Sequence, residues 1–409
     1  MKKVLWLSNY RFQDSQNSGS GTWIESMGKA LVKSGRFKMC NITLGNVKKL
    51  VRDDACGIKQ WIFPIQAVVS KALWEMPPDK ILRGICEIAG TESPDLVHVW
   101  GVERFWGLLT ARKMIAAPAL LEMQGLPSAM APYMTGCLEQ SALRKCFRLK
   151  ELLRPALSLS SQQKRFRLAV DAEREMIHGH RFIDYQSEWI RDNIEPWRNG
   201  AELLKTRMML RSDFLESTPW RYKQGNQVVF TSCGWAVNKG LHVLIEACKI
   251  LRGRYPNLQL RVAGGFGQGI RQSGYQKYVM HLAKGLDMVR LGALSPEQMI
   301  NEIHNAAVYV NPSLVESYSM SLAEAMAVGC PCVATYAGAM PEVGGQQCLY
   351  FPVGDTGSCS GAIRQIFELG EKAQCMGNGG RRRSLNMHDE YKCVNRQIEI
   401  YEHVFSSVE

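Results

Sequence analysis

Apolar runs of strand length alternate with stretches of helical periodicity along most of the chain, the pattern of a parallel sheet covered on both faces. In the first half KKVLWLSN, KMCNITLG, PDLVHVWG and PALLEMQG read as strands. Helices lie between them; one of these, TWIESMGKALVKSG, stops at Gly35, as a left-handed C-terminal glycine would make it do. The second half repeats the scheme with strand NQVVFTSC, helix GLHVLIEACKILRGRY, strands LQLRVAG and AAVYVNP, helix SLAEAMAVG and strand PCVAT. The expected fold is α/β, with two facing doubly wound domains over residues 1–222 and 223–385 joined near STPWRYKQGN. A final helical segment, 386–409, is expected to return toward the first domain. The 409 residues suffice for two cores of ordinary size.

Composition narrows the classes without choosing among them. No window approaches the roughly 18–20 unbroken apolar residues of a membrane span. The start, MKKVLWLSNYRF, has too short an apolar run and no small-residue cleavage site for a signal peptide. Thirteen cysteines without paired spacing argue for reduced thiols in a cytoplasmic protein, not for a disulfide frame or a zinc site. The net charge of +12 is uneven: up to Tyr222 there are 33 Lys+Arg against 23 Asp+Glu. Its densest part runs from Arg144 to Arg167, where eight cations face the single acid Glu151 and leucines and phenylalanines interleave them. Two readings stay open there, a peripheral contact with an anionic membrane surface and a solvated helix face. No base-reading motif accompanies the charge, so nucleic acid is not an expected partner.

In open parallel sheets ligands bind at the carboxyl ends of strands, where helix starts present free N–H groups. Three loops qualify. NSGSGTW carries Gly19 and Gly21 ahead of a helix, a phosphate approach or a plain surface loop. In CGWAVNKGLHVLIEA, Lys239 stands at a helix start, where the dipole disfavours a cation unless an anion shares the site. RVAGGFGQG supplies Gly264, Gly265, Gly267 and Gly269 but lacks the dinucleotide-binding spacing. The fourth stretch, ESYSMSLAEAMAVGCP, places Glu316 before a helix and Glu324 inside it. Ser321 to Glu324 fits a capping box, which accounts for Glu324 but not for Glu316. Between the two, Ser317, Tyr318, Ser319, Met320 and Ser321 would offer backbone N–H groups to an anion. Carboxylates accept paired hydroxyl bonds, so a ligand with hydroxyls at both ends and phosphates in the middle suits the whole stretch: a nucleotide sugar has that layout.

On these residues the chain resembles the retaining GT-B glycosyltransferases of family 4, two Rossmann-like domains with a cleft between them. The resemblance rests on the pair Glu316 and Glu324 within NPSLVESYSMSLAEAMAVGCPCVATYAGAMPEVGG. It extends through NKGLHVLIEA, LRVAGG, LGALSPEQMINEIHNAAVYV and GTWIESMGKAL. HVWGVE followed by EMQG looks like the bacterial branch that builds surface polysaccharides. The resemblance implies that Glu316 binds the donor sugar, Glu324 the ribose and Lys239 the diphosphate. It places Gly292 and Leu294 beside the base, and Gly19 and Gly21 at the diphosphate from the other domain. The donor would be a UDP- or GDP-sugar and the acceptor a glycan or lipid-linked glycan, with no cofactor and no metal. Three departures stand out. Gly234 occupies the usual basic position five before the lysine, and Glu316-Ser-Tyr-Ser319 replaces Glu-Gly-Phe-Gly. On the acceptor side Glu122-Met-Gln124-Gly125 stands where many relatives carry a histidine. His98, Glu122 and Gln124 are therefore the candidates for holding the acceptor.

Retaining transfer is the expected chemistry, with Lys239 and helix starts stabilising the departing diphosphate. A nucleotide-sugar epimerase of the same fold and a non-catalytic membrane scaffold using the basic patch are the rival readings. The HGH at 178–180 and the run Arg381 to Arg383 read as surface features.

Overall fold

The first apolar run becomes β1 (Lys3–Leu7), the centre of an eight-stranded sheet completed by Lys38–Gly45 (β2), Val51–Ala55 (β3), Ile58–Pro64 (β4), Leu96–Trp100 (β5), Ala119–Met123 (β6), Phe182–Tyr185 (β7) and Glu202–Lys205 (β8). Its order is β3-β4-β2-β1-β5-β6-β7-β8, parallel except for the antiparallel pair β3 and β4. The computed structural model describes residues 1–13, 21–67, 74–149, 151, 158–267 and 272–408. Val228–Thr231 (β9), Gln259–Ala263 (β10), Asp287–Gly292 (β11), Val308–Asn311 (β12), Cys332–Thr335 (β13) and Cys348–Phe351 (β14) make a second, wholly parallel sheet in the order β11-β10-β9-β12-β13-β14. Each sheet reverses its winding once, beside its first parallel strand: between β1 and β5, and between β9 and β12. At such a switch point the loops from neighbouring strands diverge to opposite faces and leave a crevice.

The chain divides into two units, the first Met1–Ala129, Arg167–Met209 and His388–Glu409, the second Met130–Phe166 and Leu210–Met387. These bounds differ from the ones the alternating pattern suggests. Residues 130–166 precede the second sheet by some distance in sequence, yet they pack with it. Gly274 lies so close to the Cys146 carbonyl that a β-carbon there would collide with it. In the first unit one apolar layer holds Leu5, Val97, Val99, Leu121 and Ile183. The opposite layer holds Val4, Trp6, Leu120 and Phe182 together with Val394, Tyr401 and Val404 of the terminal helix Glu390–Ser406. That helix starts on Asp389, whose side chain accepts from Lys392 N at 2.9 Å. In the second unit Val229, Leu260, Val262, Val308, Val310 and Val333 form one core with helices Leu241–Leu251 and Thr356–Leu369.

Two expected surface features are inside. Arg381 donates to the Ala327 and Ser217 carbonyls, and Arg383 to those of Val343 and Glu342, so both fasten helix Ala373–Met387 to its neighbours; only Arg382 is exposed. Unsatisfied helix-end carbonyls attract guanidinium donors, a tertiary fact that an arginine run does not announce. In HGH, His180 is buried between the Thr110 hydroxyl at 2.8 Å and the Met176 carbonyl at 2.6 Å.

Candidate active site

Lys239 and Glu316 arise on opposite sides of the switch point in the second sheet, one after β9 and the other after β12. β9 runs into a single 3-10 turn, Val237–Lys239, closed by Gly240 at φ 65° before helix Leu241–Leu251 begins. A side chain at Gly240 would strike the Pro312 carbonyl oxygen, so glycine lets the loops after β9 and β12 touch, and Leu314 N donates to Asn238 O across that contact at 2.9 Å. This brings the Lys239 ammonium to 2.6 Å from Glu316 Oε1. Burial opposes the charge on Lys239, but the Glu316 carboxylate outweighs it and leaves the lysine above its ordinary range, hence charged at neutral pH.

Glu316 is seated from the other side by Gly338, whose φ of 55° and missing side chain make room for the Glu316 backbone, and Ala339 N donates to Glu316 O at 2.9 Å. Helix Met320–Val328 follows, and its N-cap is Ser319 in the left-handed region, φ 77° and ψ 74°, without a side-chain cap bond. The capping box is therefore not at Ser321 to Glu324; Ser321 lies one residue inside the helix, where its hydroxyl cannot reach the N-cap geometry. Capping boxes form instead at Ser273 with Gln276 and at Ser295 with Gln298. Ser319 explains one departure: the position needs a positive φ, which glycine adopts freely and serine only under strain. The Asn311 amide, at the end of β12, offsets the strain by donating to Ser319 Oγ at 2.7 Å. As at any helix start, the first-turn N–H groups have no acceptor within the preceding turn of the helix.

Glu324, 7% exposed, meets Arg211, whose Nη2 and Nε lie 2.6 Å and 3.2 Å from the same oxygen, Oε1. Burial pushes the Glu324 carboxyl up, and Arg211 pulls it back toward the ionised form. Arg211 was not among the residues the sequence singled out; it lies just ahead of the linker and belongs to no motif. Gly292 and Leu294 stand at the carboxyl end of β11, where Gly264 N donates to Gly292 O at 2.7 Å. Gly234 is at φ 82°, which favours glycine, although a β-carbon there would stand in open space; the close approach of the two backbones constrains Gly264 instead, whose β-carbon would come 3.0 Å from the Gly234 Cα. The carboxyl ends of β9 and β12 thus bring Lys239, Glu316, Glu324 and a helix start onto one end of the sheet, the end at which β11 presents Gly292 and Leu294.

In the first unit Gly21 has φ 93° and caps helix Thr22–Ser34, with Tyr10 packed where a side chain would stand. Gly19 and Gly269 lie outside the described residues, as do Lys150 and Arg154 of the basic stretch. His98 and Glu122 are 0% and 1% exposed, so the expectation that they hold an acceptor gives way to an interior role. The His98 Nδ1 is 2.7 Å from the Tyr401 hydroxyl, which also accepts from Trp6 Nε1 at 3.0 Å. Gln186 donates to Glu122 Oε1 at 2.7 Å. Gln124, past the end of β6, is half-buried beside Gly101 and Glu103, and remains the acceptor-side candidate at the carboxyl edge of the sheet.

His98, Glu122 and Asp184 are the group of three among the described residues whose donor atoms have metal-ligand spacing, all within 4.8 Å of one another. Their protonation states balance without an ion. Burial pushes Glu122 up to about 8, burial and the Glu122 charge push Asp184 up to about 8, and burial pulls His98 down to about 4. Both acids and the imidazole are then neutral at pH 7. Because the folded pKa values of the acids exceed their unfolded ones, their contribution to stability is complete below about pH 4 and is lost as pH rises to about 8. The His98 contribution has the opposite sense, present above pH 6.5 and lost toward pH 4. Between pH 6.5 and 8.5 only the acids of this group count, so wild-type Tm falls across that range. Asp184→Asn, neutral at every pH, shows a visibly flatter fall in thermal melts; equal slopes would remove the account.

Comparison with known proteins bears on the second unit most directly. Residues 220–383 match the family Glycosyl transferases group 1. The MMP alpha-(1->4)-mannosyltransferase of Mycolicibacterium hassiacum is 30% identical over 134 residues, 32% of this chain and 30% of that protein. The lipopolysaccharide 1,2-N-acetylglucosaminetransferase of Salmonella typhimurium is 36% identical over 110 residues, 26% of this chain and 29% of that protein. The similarity thus spans less than a third of each of these relatives. Over the whole chain, sucrose-phosphate synthase from Thermosynechococcus elongatus superposes with a TM-score of 0.73 at 16% identity, covering 100% of both chains. Anabaena Alr3699/HepE, in complex with UDP and glucose, follows at 0.64 and 16%, covering 98% of this chain and 100% of that one. At such identity these likenesses concern the fold, and the fold is GT-B.

Proposed function

We propose that the protein is a retaining glycosyltransferase of family 4, moving a sugar from a nucleotide-diphosphate donor to a glycan or lipid-linked acceptor without a metal ion. The observation that carries this reading is the pairing of Lys239 with Glu316 across the switch point of the second sheet, next to a helix start. In that geometry the ammonium and the first-turn N–H groups of helix Met320–Val328 supply the positive field that a departing diphosphate needs. Glu316 is freed to accept from sugar hydroxyls once the diphosphate takes over Lys239, and Glu324 accepts from the ribose. The backbone at 317–321 meets phosphate or sugar, and Gly292 and Leu294 flank the base. The acceptor hydroxyl attacks the anomeric carbon from the face of the leaving group. As the bond to the diphosphate oxygen breaks, that oxygen takes the hydroxyl proton, so no protein base is required.

The neighbour that holds UDP and glucose supports a nucleotide-sugar donor, and the relative named for lipopolysaccharide supports a surface-glycan acceptor. No helix among the described residues is long and apolar enough to cross a membrane. Phe147 and Leu149, 51% and 80% exposed beside Arg144 and Lys145, support an anionic membrane surface as the place where a lipid-linked acceptor is met.

The test is calorimetry of UDP- and GDP-sugars with EDTA present. One nucleotide class binds wild type, and Glu324→Ala weakens it roughly 10- to 100-fold, the range for losing hydrogen bonds to a charged group. Absence of binding by every nucleotide sugar, or binding indifferent to Glu324, removes the donor site.

A further inference from the structure

We propose that Arg211 is a positioning residue for the donor site, holding the Glu324 carboxylate in one orientation with one oxygen occupied and the other turned to the ligand. The inference rests on the donor-site reading above. Both guanidinium donors converge on Oε1, Nη2 at 2.6 Å and Nε at 3.2 Å, so the ion pair takes up half the acceptor capacity of the carboxylate and leaves Oε2 for two hydroxyl bonds. A guanidinium meeting a carboxylate fork-to-fork would occupy both oxygens; this one does not.

The arginine is itself held in place. Its guanidinium carbon lies 4.6 Å from the centre of the Phe214 ring, and Phe214 is buried in the short helix Ser212–Glu216 that Arg211 precedes. Beyond that helix, Trp220 N donates to Val328 O at 2.8 Å, and Arg381 donates to Ser217 O at 2.7 Å while also binding the Ala327 carbonyl. The segment from Arg211 to Trp220 is thus tied to helix Met320–Val328 at its middle, through Glu324, and at its end, through Ala327 and Val328. Reorienting Glu324 would break both bonds to Arg211, and moving Arg211 would also break its contact with Phe214.

Charge gives the pairing a second consequence. A buried carboxyl with no cation tends to keep its proton at neutral pH, and a protonated acid offers a ribose fewer and weaker acceptor sites. Burial leaves the Glu324 carboxyl above its ordinary value, and Arg211 opposes that rise and so favours the ionised form. A lysine retains the charge but not the planar two-donor geometry, so Arg211→Lys keeps most of the ionisation and part of the orientation.

Two measurements on the full chain test this. In ligand-free protein, 13C NMR of the Glu324 carboxyl, assigned with Glu324→Gln, is titrated in wild type, Arg211→Gln and Arg211→Lys. Donor affinity is then measured by calorimetry from pH 6.5 to 9 with the nucleotide sugar that binds wild type best. In Arg211→Gln the carboxyl titrates at least about one unit higher. Its affinity is at least about tenfold weaker than wild type at pH 7 and regains part of that difference as pH rises, with Arg211→Lys between the two. A loss of affinity that is the same at every pH, or an unshifted titration, overturns the proposal, because a merely structural arginine would give either. A shifted titration in a protein that binds no nucleotide sugar leaves the pairing standing and removes the donor-site reading, and with it the positioning role of Arg211.

Discussion

Lys239→Ala lowers kcat for sugar transfer by about 10²–10³-fold, the cost of removing one preorganised charge from the place where negative charge develops. The drop falls mainly on kcat, because the ammonium interacts more strongly with the departing diphosphate than with the intact donor. In the unliganded site Lys239 is already committed to Glu316 at 2.6 Å, so donor binding exchanges one anionic partner for another. That exchange offsets much of the ground-state gain and leaves KM within about an order of magnitude of wild type. Steady-state kinetics with donor and acceptor varied separately reads both numbers. A variant that keeps kcat and loses only thermal stability would make the Lys239–Glu316 pair a structural ion pair.

Gly338→Ala damages stability and activity together. Its φ of 55° costs an alanine about 1–2 kcal/mol, and the added β-carbon would overlap the Glu316 carbonyl oxygen. Relieving that contact moves the backbone that presents Glu316, so the total cost is about 3 kcal/mol and a Tm drop of about 6–12 °C. Gly354 provides the comparison: it has φ 77° with open space where its β-carbon would stand, so Gly354→Ala costs only the backbone term, about 1–2 kcal/mol. Thermal melts of the two variants side by side, with transfer assayed about 20 °C below each Tm, separate strain from misplacement. Equal Tm losses, with full activity in Gly338→Ala, would show that the loop after β13 does not position Glu316.

The buried polar layer beneath the terminal helix shows why part of the candidate site could not be read in advance. His98 and Glu122 occur in strands whose sequence neighbours are apolar, which makes a polar residue there look functional. Only the register of β5, β6 and β7 reveals that they share one covered face with Asp184 and Tyr401. Their meaning depends on which helix lies over them, and that helix comes from the far end of the chain. Arg211 was missed for the converse reason: no pattern surrounds it, and its partner is 113 residues away.

What the sequence by itself determined is whatever local chemistry decides. Strands β1, β2, β5, β6, β9, β12 and β13 are mainly apolar runs buried on both sides, and an apolar run between turn residues has few other places to go. β3, with its alternating VRDDA, and β8, with ELLK, are strands at the sheet margins whose polar faces meet solvent, so their composition does not set them apart from loops. Lys239, Glu316 and Glu324 were legible because the spacing of a short motif and a helix start is fixed along the chain. The tertiary structure alone decided that Lys239 pairs with Glu316, that Glu324 answers to Arg211 and not to Ser321, and that residues 130–166 pack with the second sheet. Ion pairing and burial act through distance in space, and the chain sets that distance only once both sheets have closed around their cores.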